Sequence, residues 1–125
     1  MLAAYTSRSR VTREDDGVIR LCWGMMSVAM DGAEFLDFAG LVAEAAGRET
    51  KYGELARGSY GRVLRCSMGQ IKLSHGNLIL WFSPEEFEEF CRIIAGARRR
   101  LADCAPAPRL GRPWEPREEG YFGLN

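Results

Sequence analysis

The sequence predicts an α+β fold. Two tandem βββα (or ββα) repeats form a mostly antiparallel sheet, with two helices on one face and a pseudo-two-fold axis between the units. Three observations carry this. Residues 17–46, GVIRLCWGMMSVAMDGAEFLDFAGLVAEAA, lie without gaps over residues 69–98, GQIKLSHGNLILWFSPEEFEEFCRIIAGAR. Each copy has a two-residue turn in the middle of an apolar, alternating stretch. Each copy then opens a helical pattern with the same capping signal.

The offset between the copies is 52, and the identities include Gly17/Gly69, Ile19/Ile71, Leu21/Leu73, Gly24/Gly76, Glu34/Glu86, Phe35/Phe87 and Phe38/Phe90. Upstream, Ser7/Ser59, Arg10/Arg62, Val11/Val63 and Arg13/Arg65 continue the match. Self-similarity at a fixed spacing over this length marks a duplicated supersecondary unit.

In the second copy, Gly76-Asn77 predicts a hairpin turn in which glycine supplies φ > 0. That register opposes His75 to Leu78, Leu73 to Leu80 and Ile71 to Phe82, and places these apolar residues on one side. In the first copy, Gly24-Met25 opposes Trp23 to Met26, Leu21 to Val28 and Ile19 to Met30. A third strand precedes each hairpin, at 10–13 and 62–66, joined through turns at Asp15-Asp16-Gly17 and Met68-Gly69.

The helices follow directly. Ser83 and Glu86, with Pro84 between them, form a capping box, and Asp31 and Glu34 stand in the same places in the first copy. Phe87, Phe90 and Ile94 match Phe35, Phe38 and Val42, at the spacing of one helical face. Each stripe is expected to pack on the apolar face of its own sheet. Gly47 marks the end of the first helix. Acidic residues early and Arg98, Arg99 and Arg100 late suit the dipole of the second.

These elements divide the chain into an N-terminal arm (1–9), a first unit (10–47), a linker (48–61), a second unit (62–102) and a proline- and aromatic-containing C-terminal segment (103–125). One unit is too small to bury much apolar area alone, so the two are expected to share one core. Within the linker, Leu55-Ala56-Arg57-Gly58-Ser59-Tyr60-Gly61-Arg62-Val63 resembles the glycine-rich loop of protein kinases. Ala56 replaces the first glycine, and no lysine or aspartate motif of that family follows. A turn leading into a strand is the better expectation. Residues 66–94, strand, Gly-Asn turn, strand and Ser-x-Glu-Glu-Phe helix, resemble small bacterial proteins, without implying an activity.

Lys+Arg and Asp+Glu number 17 each, so the net charge is zero. A dedicated nucleic-acid binder would carry a basic surplus, so nucleic acid is not the expected partner. No stretch suits a membrane span or a signal-peptide core, and a cytoplasmic protein is expected. Cys22, Cys66, Cys91 and Cys104 show no metal-binding spacing and read as reduced thiols. No cofactor motif and no catalytic cluster stands in the sequence. His75 reads as a surface or rim histidine rather than a base.

The hairpin register also defines an outer face: Arg20, Cys22, Ser27 and Ala29 in the first unit, Lys72, Ser74, Ile79 and Trp81 in the second. Ile79 and Trp81 are large apolar residues turned away from the helix side. The C-terminal segment, a protein partner, a second copy or a ligand could cover them. The function expected is a non-catalytic interaction module, a small accessory subunit, adaptor or regulator. It would bind another protein or a second copy of itself through Ile79, Trp81, Trp114, Tyr121 and Phe122. One alternative is a nucleic-acid-binding regulator using Arg8, Arg10, Arg13, Arg62 and Arg65 as a stripe. Another is a small-molecule binder or enzyme working at the cleft between the units.

Overall fold

A computed structural model describes residues 2–5, 9–48 and 52–104. It has two similar α+β halves. In the first, β1 (Leu2–Tyr5), β2 (Ser9–Arg13), β3 (Ile19–Trp23) and β4 (Met26–Met30) precede α1 (Gly32–Ala46). In the second, β5 (Gly53–Arg57), β6 (Gly61–Arg65), β7 (Ile71–His75) and β8 (Leu78–Phe82) precede α2 (Pro84–Cys104). Each half has its own antiparallel four-stranded sheet in simple meander order, so there are two sheets rather than one.

Both hairpins have the expected register, with Leu21 opposite Val28 and Leu73 opposite Leu80. Gly24 and Gly76 both have φ of 60°, while no described non-glycine residue has positive φ. Glycine thus takes the first central position of the turn, where an L side chain would be strained. The preceding turns also match between halves: Gly17 N–H donates to Glu14 O, and Gly69 N–H to Cys66 O. Both capping boxes form. Glu34 N–H donates to Asp31 Oδ1 at 2.8 Å and Asp31 N–H to Glu34 Oε1 at 2.9 Å. The Ser83–Glu86 pair repeats the arrangement at 3.1 and 2.8 Å.

Two elements exceed the sequence expectation. Strands β1 and β5 lie within the N-terminal arm and the linker. Each has an irregular register, at Leu2/Ala4 and at Glu54/Ala56. A bulge puts two neighbouring residues toward the core, Leu55 and Ala56 both being buried. That breaks the period-2 alternation by which a strand is recognised.

The helices are exchanged between halves. α1 packs on β5 and β6, α2 packs on β1 and β2, and the helices pack on each other. The main contact of each helix with its own sheet is with the last strand, α1 with β4 and α2 with β8. The aromatic residues show the exchange. The Trp23 ring stands edge-on to Phe90 of α2 at 5.1 Å and to Phe82 of β8 at 5.6 Å. The related contact joins His75 to Phe38 of α1 at 5.5 Å. Phe38 and Phe90 then meet at 6.0 Å and are fully buried. The expectation of each helix on its own sheet is therefore corrected. The stripes were read properly, but sequence periodicity says which face is apolar and not which sheet receives it.

Candidate functional site

The outer face of the second sheet is the candidate. Strand register aligns Glu54, Leu64, Lys72 and Trp81 in one cross-strand row, and Arg57, Arg62, Ser74 and Ile79 in the next. The alternate residues, Val63, Leu73 and Leu80, point to the core and are buried. Ile79 and Trp81 are each 54% exposed. Lys72 Nζ lies 5.5 Å from the Trp81 ring centroid, within cation–π range. Arg57 pairs with Glu54 at 2.7 Å. The hydrogen bond from Arg57 lowers the Glu54 carboxyl below its ordinary range, and Glu54 in turn raises the guanidinium. An exposed pair of this kind contributes little to stability. The face therefore offers a paired Glu54–Arg57, two further cations in Arg62 and Lys72, and a pair of exposed apolar side chains.

Strand β8 is the edge of its sheet. Its sequence, LILWF, contains no charge, proline or glycine. Natural edge strands usually carry such residues to block unwanted pairing.

The first half provides an internal comparison. The positions related to Ile79 and Trp81 are Ser27 and Ala29, on the same face of the same hairpin. The fold is built equally well with small or polar residues there. Ile79 and Trp81 are thus not demanded by packing.

The arginines do not form one stripe. Arg10 and Arg62 are exposed on the outer faces. Arg13 and Arg65 share the inner-face parity of Val11 and Val63, and are half-buried at the sheet ends. Arg8, Trp114, Tyr121 and Phe122 lie outside the described residues.

His75 is not a rim residue. It is fully buried, and its Nε2 lies 2.8 Å from Asp37 Oδ2 on α1. A carboxylate only accepts, so Nε2 carries the proton. Burial pushes the imidazole below its ordinary value, while the Asp37 hydrogen bond and charge act against that shift. The correction has the same physical origin as the helix exchange: the cover over His75 comes from the other half. A fully enclosed ring offers no access to a substrate.

A shallow groove of about 650 Å³ runs between the end of α1, the β6–β7 turn and the start of α2. Its walls come from both units. Arg48, Arg65, Met68, Phe87 and Cys91 are among its walls. Burial, then the Glu88 charge, pushes the Cys91 thiol up to about 12. It is therefore a neutral thiol near pH 7 and a poor nucleophile. Cys22, Cys66 and Cys91 are unbridged. Among the described residues, no three His, Cys, Asp or Glu side chains converge as metal ligands. No helix there is long and apolar enough to cross a membrane.

No family model matches this sequence, and no curated protein or solved structure matches it either.

Proposed function

We propose that the protein is a non-catalytic interaction module, an accessory subunit, adaptor or regulator, that binds another protein through the outer face of β7 and β8. One observation carries the reading. Ile79 and Trp81 are exposed at positions where the duplicated half manages with Ser27 and Ala29. Large apolar side chains held in water by a rigid sheet are the usual anchors of a protein interface, tryptophan above all. The cations Arg62 and Lys72 beside them would form its polar rim.

The test uses the tagged full-length chain and its Trp81→Ser variant, isolated from the native cells. A stoichiometric protein that follows the parent and is absent from the variant supports the reading, provided both show the same thermal unfolding. Equal retention by both removes this face as the interface.

A further inference from the structure

The edge of β8 carries hydrogen-bonding groups that no described element uses. β8 pairs with β7 and with no other described strand. The two-residue turn at Gly76-Asn77 makes His75 and Leu78 a hydrogen-bonded pair. Hydrogen-bonded and non-hydrogen-bonded pairs alternate along an antiparallel ladder. Leu73–Leu80 and Ile71–Phe82 are therefore of the first kind, and Ser74–Ile79 and Lys72–Trp81 of the second. The N–H and C=O groups of Ile79 and Trp81 thus point away from β7, along the open edge. Among the described residues, no backbone hydrogen bond outside the ladders reaches them. Such an edge is a template for another strand.

The strand that fits it is β8 itself. Two copies set antiparallel about a two-fold axis at Leu80 oppose Ile79 of each to Trp81 of the other. Each opposed pair exchanges two N–H···O=C bonds, so every outward group of Ile79 and Trp81 is satisfied in both copies. A slip of one residue would set outward groups against inward ones. A slip of two would leave Trp81 opposite Asn77 in the turn, or Ile79 opposite Ser83 at the helix cap. Side chains agree with the centred register. It forms an aromatic–β-branched cross-strand pair twice. Leu80, at 8% the most exposed of the buried apolar residues, meets Leu80 of the second copy. β8 holds no charge, and Lys72 falls in one row with Ser74 of the second copy, so no cations are opposed. The related edge, β4, would oppose only Ser27 and Ala29 in this geometry.

We infer that two copies of the chain join through antiparallel β8–β8 pairing centred on Leu80, which links their second four-stranded sheets edge to edge. The contact is isologous and closed, so it uses up the β8 edge in both copies. It goes beyond the proposed function, because it engages the backbone of β8. The outer sides of Ile79 and Trp81 stay open, and the axis sets two such patches side by side for a further partner. Strands of five residues bury little area, so the pair belongs with weak, concentration-dependent interfaces.

The test is sedimentation equilibrium of the full-length protein, with NMR hydrogen exchange over the same range of concentrations. The mass should rise with concentration from 14.0 kDa toward twice that value. As it rises, the Ile79 and Trp81 amides should exchange on the order of tenfold more slowly. The Leu78, Leu80 and Phe82 amides, already bonded to β7, should change less. Ile79→Lys puts a charge on the edge and should leave a folded chain of single-copy mass throughout. A parent chain of single-copy mass throughout overturns the inference. A dimer in which the Ile79 and Trp81 amides keep their rates also overturns it, because its interface would lie elsewhere. Both readouts use the parent chain, so they stand even where the variant does not fold. If the parent is monomeric but Trp81→Ser still loses a different protein, this inference fails and the proposed function stands. If the dimer forms as described and no other protein depends on Trp81, the proposed function fails alone.

Discussion

His75 on β7 and Asp37 on α1 are joined by a 2.8 Å hydrogen bond that crosses from one half of the duplication to the other. The positions related to them by the repeat are Trp23 and Glu89. One half thus secures its neighbour's helix with a buried imidazole, the other with an indole packed on Phe90. Asp37→Ala removes the acceptor and leaves His75 Nε2 buried without it. The expected loss is about 1–3 kcal/mol of unfolding free energy, measured by urea titration.

The same residue sets a pH dependence. His75 is the one histidine of the chain. Its folded-state value is lowered by burial, so the unfolded chain takes up the proton first. The contribution is therefore present above about pH 6.5 and lost as pH falls below it toward the folded-state value. Thermal unfolding across that window should show stability falling on acidification before the carboxylates titrate. His75→Gln should flatten the slope between about pH 7 and 5.5, where histidine alone titrates at its ordinary value.

Two glycines separate packing from conformational freedom. A β-carbon on Gly61 would overlap Ser74 O and lie 2.9 Å from His75 Cα, both backbone atoms of β7. Gly61→Ala forces the β6–β7 ladder apart and should destabilise by more than about 1 kcal/mol. Gly40, inside α1, has nothing within 4 Å of such an atom. Gly40→Ala should stabilise by about 0.5–1 kcal/mol, because alanine gives up less chain entropy in a helix. Paired denaturation curves decide both.

The exchange of helices gives a mutational signature. Phe38→Ala and Phe90→Ala each empty the shared centre and should cost about 3–5 kcal/mol. The two rings stand 6.0 Å apart, so their effects should not add, and a double-mutant cycle should return a coupling of about 0.5 kcal/mol or more. Additive losses would mean that the halves have independent cores.

Much of this fold was legible. The two hairpins, their register and both capping boxes depend on residues close in sequence, such as Gly76, Ser83 and Glu86. Those local rules were enough to place Trp81 on the outer face. Strands β1 and β5 were not legible, because the bulges put adjacent Leu55 and Ala56 into the core and erase the alternation. His75 was misread for a different reason. Its register put it on the apolar side, but its cover and its hydrogen-bond acceptor come from α1, 38 residues away. Arg10 and Arg13 were read as one stripe, although three residues apart in a strand lie on opposite faces.

The measurement that bears most directly on the proposed function gives the second half the outer face of the first. In the full-length chain, Ile79→Ser and Trp81→Ala together reproduce Ser27 and Ala29. Exposed substitutions of this kind should each shift stability by only about 0.5 kcal/mol, so thermal unfolding should move little. A protein retained by the parent chain should then be lost. Retention of that protein by the folded double variant would contradict the proposed function, and a collapse of thermal stability would show that Ile79 and Trp81 serve the fold instead.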